Sequence, residues 1–375
     1  MSASVFDTIV IGGGAIGCAI AFELSKSGQN VAVLEKGTVA SGASGVSAAM
    51  LEAQLDAHRG EPFLSLALAS QELFEPLTRE LEETTGMDIQ HERCGILQIA
   101  LTPSERDELR RRYEFQIGKG LPASWLEPRE VEESLPQLEG RFLGALFHRK
   151  DGQVNASRFT GALAQAARRR GAKVLEGTEV TGFRLDGSRV TGMDTKTGAF
   201  GCGSLVIAAG PWSSLLGRML GLAIPVEPVR GQLVIFETSP AVLPYPVFYG
   251  SRYLTPKRDG FLLAGTTTEK AGFDDQPTAE ATQAIARDAQ AVMPLLKSKP
   301  FRGATAGLRP HSPDELPIMG RAPGFDNVFI ATGHYRNGIL LAPVTARILV
   351  SLMQDRTPPL PINAFSAERF KTPAC

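Results

Sequence analysis

The sequence predicts an α/β protein of two domains, and three observations carry that prediction. Gly12-Gly13-Gly14-Ala15-Ile16-Gly17 stands between an apolar run, Val5 to Ile11, and a helix-forming run, Cys18 to Ser27. A second apolar run, Val31 to Leu34, closes on Glu35, completing the order strand, glycine turn, helix, strand, acidic end of a βαβ dinucleotide cradle. Further on, Ser204 to Ala209 is an apolar strand ending on small residues before Gly210-Pro211-Trp212, while residues 226–268 hold short strand candidates punctuated by Pro and Gly. The first returns the chain to a parallel sheet and the second builds an antiparallel one. The expected architecture is a Rossmann-like nucleotide-binding domain with a second, mainly antiparallel-sheet domain.

Each residue type in the cradle has a physical reason. The spacing lets the backbone turn tightly at Gly12, lets a pyrophosphate approach Gly14, and lets the helix pack on the strand at Gly17. A phosphate there meets the positive end of the helix dipole. Glu35 lies where a carboxylate accepts hydrogen bonds from ribose hydroxyls and repels a 2′-phosphate, so an adenine dinucleotide without that phosphate is favoured. A plain strand-to-helix connector accounts for a glycine triplet too, and the motif alone does not separate NAD from FAD.

Next comes Ser41 to Met50, rich in small residues, which either brings backbone N–H groups close to a ligand or forms a flexible surface loop. Helical periodicity runs from about Phe63 to Glu83, residues 94–101 read as a strand, and a charged helix spans about Pro103 to Arg112. A helix from Asn155 to Arg170 leads into a strand at Val174 to Glu176, then into alternating runs turning at Asp186-Gly187. Strands are expected at Gln232 to Phe236, Arg252 to Thr255 and Phe261 to Ala264, and a helix at about Thr278 to Val292. A last strand, Asn327 to Gly333, runs into His334-Tyr335-Arg336-Asn337-Gly338 and a terminal helix. The boundaries drawn are residues 1–86, 150–220 and 301–375 for the nucleotide domain, and 87–149 with 221–300 for the substrate domain.

Composition narrows the function. At 375 residues and 43% hydrophobic content the chain can bury a large core, and a formal net charge of −1 favours neither nucleic acid nor an anionic membrane. A small-molecule partner is expected. Cys18, Cys94, Cys202 and Cys375 lack CxxC spacing, and the five histidines lack HxxxH or HExxH spacing, so neither a metal site nor a disulfide framework is expected. The first strand begins close to Met1, leaving no room for a signal peptide, and no apolar stretch is expected to reach the ~18 residues of a membrane span. A cytoplasmic location fits.

With these elements in order, the chain resembles the FAD-dependent D-amino-acid oxidase family, and within it the bacterial glycine oxidases. The most specific pieces are Ala306-Gly307-Leu308-Arg309-Pro310 and the run from Gly333 through His334-Tyr335-Arg336-Asn337-Gly338-Ile339-Leu340 to Pro343. The resemblance implies a noncovalent FAD, since the chain has no cysteine between Cys202 and Cys375 to tether it. By that likeness Ala15, Ile16, Glu35, Lys36, Ala43, Ser44, Ala48, Ala49 and Met50 line the FAD, and Val180 meets the adenine through its backbone. His334, Tyr335, Arg336, Asn337, Gly338, Ile339 and Leu340 pass beneath the flavin, where helix N–H groups stabilise the charge of the reduced ring. A mere strand-to-helix turn also explains Gly333 and Gly338.

Arg309 follows an apolar run and precedes Pro310, an awkward place for a merely solvated guanidinium. Its fork matches a substrate carboxylate bidentately; an internal salt bridge is the competing reading. Tyr253 corresponds in the family pattern to a phenol on the same carboxylate, or else is half-buried packing, and Arg336 is a second arginine near the substrate whose role stays open. The resemblance implies hydride transfer from Cα of glycine, sarcosine or a small D-amino acid to flavin N5, with no acid or base residue, then hydrolysis to a 2-oxo acid and ammonium. Dioxygen then gives hydrogen peroxide, a homo-oligomer is plausible, and the imine of glycine could feed thiazole synthesis for thiamine. Ser251-Arg252 departs from the glycine oxidase pattern, leaving the substrate in doubt. A same-fold dehydrogenase using a quinone, a non-catalytic dinucleotide-binding module and an NAD-dependent dehydrogenase remain open.

Overall fold

A computed structural model describes residues 4–370; Cys375 lies outside them. The chain opens with β1 (Ser4–Ile11), α1 (Ala15–Ser25) and β2 (Val31–Leu34). In α1, Ala15, Gly17, Cys18, Ala19 and Ala21 are all buried, so this helix lies close against the sheet. There follow α2 (Ala43–Val46) and β3 (Met50–Leu51), then α3 (Phe63–Glu72) and α4 (Phe74–Thr85). The single helical stretch expected here is broken at Leu73 because Pro76 has no N–H for the carbonyl of Glu72 and clashes with it; in the first turn of a new helix Pro76 is tolerated.

The chain continues through β4 (Ile96–Ile99), α5 (Pro103–Gly118), β5 (Ala123–Leu126), α6 (Pro128–Ser134), β6 (Ala145–His148) and β7 (Gly152–Gln153). A capping box between Thr102 and Glu105 starts α5, which outruns its expected end at Arg112. Asn155 caps α7 (Ala156–Arg169), which leads to β8 (Lys173–Leu175), the hairpin β9 (Val180–Asp186) and β10 (Arg189–Thr195), and then β11 (Gly198–Ile207) and α8 (Ser213–Met219). The last third comprises β12 (Glu227–Glu237), β13 (Val247–Tyr249), β14 (Arg252–Pro256), β15 (Phe261–Gly265), α9 (Ala279–Val292), β16 (Phe301–His311), β17 (Ile318–Arg321), β18 (Val328–Thr332) and α10 (Gly338–Met353).

The first sheet has the order β17-β18-β11-β1-β2-β8, with β10 on β11 and β9 on β10. β1 pairs in parallel with both β2 and β11, and β11 with β18, as the apolar run ending at Ala209 requires. Its strands alternate between two cores. Val10, Val33 and Val206 face α1, α7 and α10, whereas Ile9, Leu34, Leu205 and Ile207 face the side of β9, β10 and α8. The second sheet has the order β16-β12-β15-β14-β13-β4-β6-β5 and is antiparallel except between β13 and β4. Residues 301–311 therefore belong to this second sheet, pairing along all of β12, which corrects their assignment to the nucleotide domain. Strand partners are fixed by long-range pairing, which local periodicity does not reveal.

One expectation about apolar length is also corrected. Tyr335–Met353, 19 residues with a mean hydropathy of 1.2, is long and apolar enough to cross a membrane. It packs against α1 and α3, with Leu340, Leu341, Ala342, Ile348 and Leu349 fully buried, so the interior of the lobe accounts for its composition.

Candidate functional site

A cavity of about 610 Å³ runs between the two lobes, from the Gly12 turn past residues 40–50 to the β12, β14 and β16 side of the second sheet. At its nucleotide end the glycines are dictated by close approach. A Cβ on Gly12, at φ +116°, would come 2.4 Å from the carbonyl oxygen of Ala208, and one on Gly17 would come 2.0 Å from that of Gly12. The first strand thus passes directly against the end of β11, and α1 seats directly on the turn. Gly14 caps α1 without a side-chain bond, leaving first-turn N–H groups toward the cavity, and Ser44 Oγ accepts from Ala15 N at 3.0 Å. Glu35 shapes the loop around it, its two oxygens each accepting at 2.7 Å from Gly13 N and Gly37 N.

Lys36 Nζ lies 3.5 Å from the ring centroid of Trp212, and both residues line the cavity beside Val180. Lys257, 7% exposed, holds the small-residue loop in place by donating to Ala48 O at 2.6 Å, Gln153 Oε1 at 2.9 Å and Val154 O at 3.0 Å. Burial pushes its amine down to about 7, with Glu92, Cys94 and Asp259 acting the other way. At the far end α10 begins beside the cavity with no side-chain cap. His334 is buried with Nε2 3.0 Å from Thr345 Oγ1, and burial lowers its pKa to about 3, so the imidazole is neutral.

The second sheet supplies the other wall. Arg309, on β16, donates from Nη1 to Thr267 O at 2.9 Å and from Nη2 to Thr266 Oγ1 at 2.7 Å. Both acceptors are neutral, and no carboxylate pairs with this guanidinium among the described residues. Burial, with the charge of Arg336, depresses its pKa, while Tyr253, Tyr335 and Glu52 act the other way. Tyr253, on β14 and 7% exposed, faces the same space. Arg336 lies 3.4 Å from both Thr268 Oγ1 and Tyr335 Oη. The segment after β15 thus meets both arginines through three consecutive threonines. Arg230 pins it, through Glu269 at 2.7 Å and Asp274 at 2.7 Å.

Of the residues expected from the sequence, Gly12, Gly14, Ala15, Ile16, Glu35, Lys36, Ala43, Ser44, Ala48, Ala49, Met50 and Val180 line this cavity, as do Tyr253, Arg309, His334, Tyr335, Arg336, Gly338 and Ile339. Gly17 serves the packing of α1. Two stand apart: Asn337 turns to Arg59 at 3.0 Å and Asp56 at 3.0 Å, and Leu340 is wholly buried in the core. Glu52, Thr266 and Gly231 also line it and were missed. The trace that could have found Glu52 is a lone acid in the apolar run Ala48-Ala49-Met50-Leu51-Glu52-Ala53.

Residues 7–352 match the family described as FAD dependent oxidoreductase. The chain belongs to that family. It is 38% identical over 366 residues to a glycine oxidase of Geobacillus kaustophilus, covering 97% of each chain. A crystal structure of glycine oxidase from Geobacillus kaustophilus superposes with a TM-score of 0.95 at 37% identity, over 98% of this chain and 100% of the other. L-proline dehydrogenase from P. horikoshii superposes with a TM-score of 0.89 at 28% identity, covering 98% of both. As in other FAD dependent oxidoreductases, the group to be housed is FAD, and the residues fit it. The Gly12 approach to Ala208 leaves a bare turn that a pyrophosphate would meet, Glu35 lines the cavity at the end of β2 where a ribose would lie, and the cavity continues to the uncapped start of α10.

Proposed function

We propose that this FAD-dependent oxidoreductase oxidises the Cα–N bond of glycine, sarcosine or a small D-amino acid, yielding a 2-oxo acid, ammonium or an amine, and hydrogen peroxide. The observation that carries the reading is Arg309, a guanidinium lining the cavity with two neutral acceptors and no carboxylate partner among the described residues. Such a group takes the carboxylate of an incoming zwitterion bidentately, and the Tyr253 phenol is beside it for the same anion. Bound FAD supplies the two-electron acceptor. The protein's part is orientation. Arg309 is fixed by Thr266 and Thr267 on one side and by β12 beneath it, so a carboxylate held there leaves Cα with little freedom.

FAD is read as held noncovalently, since no cysteine lines the cavity among the described residues; Cys18, Cys94 and Cys202 sit elsewhere. Glycine as substrate would give an imine usable for thiazole assembly in thiamine biosynthesis, as the resemblance implies. The likeness to an L-proline dehydrogenase favours a second reading, in which a quinone takes the electrons. The test is the visible spectrum of the purified protein, followed by anaerobic addition of glycine, sarcosine, D-alanine and D-proline. Bleaching by one of these is expected, and failure of all four overturns the reading. Peroxide formed on admitting air selects the oxidase; bleached protein that needs a quinone to recover its colour selects the dehydrogenase.

A further inference from the structure

Five acidic residues line the cavity, and Glu35, Asp56, Glu179 and Asp275 each have a hydrogen-bond or ion-pair partner, whereas Glu52 has none among the described residues. Glu52 follows β3, is 9% exposed and lines the cavity with Arg309, Tyr253 and Arg336. Its two acidic neighbours are tied down: Asp56 accepts from Asn337 Nδ2 at 3.0 Å and lies 3.7 Å from Arg59, while Asp151 accepts from Gln54 N and Leu55 N at 2.8 Å each and from Gln71 Nε2 at 3.0 Å. No hydrogen bond or ion pair holds the Glu52 carboxyl among the described residues. The Glu52 carboxyl therefore stands in the cavity wall without a protein partner, where a ligand group of opposite charge can meet it.

We propose that Glu52 is the proton acceptor for the substrate's ammonium group, an inference that rests on the amino-carboxylate reading above. A zwitterion needs a cation for its carboxylate and an anion for its ammonium; Arg309 supplies the first and Glu52 the second. An ammonium nitrogen has no lone pair with which to form a C=N bond. Transfer of one proton breaks an N–H bond, forms an O–H bond on Glu52 and leaves the electron pair on nitrogen. That pair would become the C=N bond as the Cα hydrogen leaves with its two electrons, and bound FAD would supply the two-electron acceptor the balance requires. The groups acting on Glu52 come from four other places. Asp56 follows it in the chain, Asp151 sits between β6 and β7, Arg336 precedes α10, and Arg309 and Tyr253 stand on the second sheet. Burial, then Asp56 and Asp151, push the Glu52 carboxyl well above the usual carboxylate range, with Arg336 and Arg309 acting against them. A carboxylate displaced toward neutrality is the stronger base.

The experiment compares the holoenzyme with Glu52→Gln and Glu52→Asp. Wild-type protein bleached by none of the four amines overturns the parent reading and this one with it. With bleaching by glycine or sarcosine in hand, the rate of anaerobic reduction should rise with pH along one limb in the wild type. Glu52→Gln should lose that limb and reduce at least about 100-fold more slowly. It should bind acetate, read by the flavin spectrum, no more weakly than wild type does, since acetate has no amine to meet. An unchanged pH limb in Glu52→Gln, or equal weakening of acetate and glycine, overturns the inference and leaves the parent reading standing. Should Glu52→Gln fail to retain FAD, Glu52→Asp carries the test, because the shorter carboxylate should keep the limb at a shifted pH. A limb at the wild-type pH overturns the inference.

Discussion

The guanidinium of Arg309 lies directly over the backbone of Gly231: a Cβ at that position would come 2.1 Å from Nη2 and 2.2 Å from Cζ. Gly231 and Gly307 are paired across β12 and β16, so the arginine two residues on folds back across the neighbouring strand where that strand has no side chain. Gly231→Ala should therefore expel the guanidinium from its place between Thr266 and Thr267. The expected outcome is a loss of kcat/KM for a carboxylate substrate of about 2–4 kcal/mol, with FAD content unchanged. Steady-state kinetics beside the flavin-to-protein ratio checks it.

Arg309→Ala should remove the same anchor without touching the strand. Apparent KM for glycine should rise, with a total loss in kcat/KM of about 2–4 kcal/mol. Acetate should lose its affinity in parallel, as titration of the flavin spectrum will show.

Lys257→Met should loosen the loop that precedes β3. The buried amine has Ala48 O, Gln153 Oε1 and Val154 O as acceptors, and a thioether leaves all three unpaired. A stability loss of about 2–4 kcal/mol in urea unfolding is expected. FAD should also be lost more readily on dialysis, since Ala48, Ala49 and Met50 line its cavity.

His148→Asn isolates one pH-dependent contribution. Burial, followed by the charges of Arg112 and His58, drives the His148 pKa to about 3 from an unfolded value near 6.5, and Nε2 has no partner. Between those values the unfolded chain binds the extra proton, so this residue costs the wild type stability as pH falls from 6.5 toward 3. The variant lacks that loss. Its stability relative to wild type should climb on acidification by up to about 1.4 kcal/mol per pH unit, measured by denaturant titration at pH 7 and pH 5.

Arg230→Ala should free the segment that bears Thr266, Thr267 and Thr268. Its guanidinium joins β12 to Glu269 and Asp274, and Gln232 Nε2 adds a bond to Glu269 at 2.8 Å. With the clamp gone, KM for the amine should rise more than kcat falls, because what is lost is the stiffness behind Arg309. Kinetics with glycine and sarcosine tests this.

Much of the nucleotide end was legible in the sequence because its signals are local. The glycine spacing, the apolar strand before it and the acid after the next strand lie within one stretch of chain, and each reflects a short-range requirement of turn, helix start or close packing. Arg309 was legible as an oddly placed cation, although its lack of an ion-pair partner was not. Thr266 and Gly231 were silent, since a threonine after a strand and a glycine in a strand have many ordinary uses, and Glu52 left only the trace of a lone acid in an apolar run.

The residues alone determined the βαβ cradle and the parallel return at β11, because apolar runs and glycine chemistry act over a few positions. Tertiary structure alone decided that β16 joins the second sheet. It also decided that Glu52 lines the cavity in which Tyr253, Arg309 and Arg336 stand. Strand pairing and cavity closure join segments far apart in the chain, and their energies depend on partners that no local window contains.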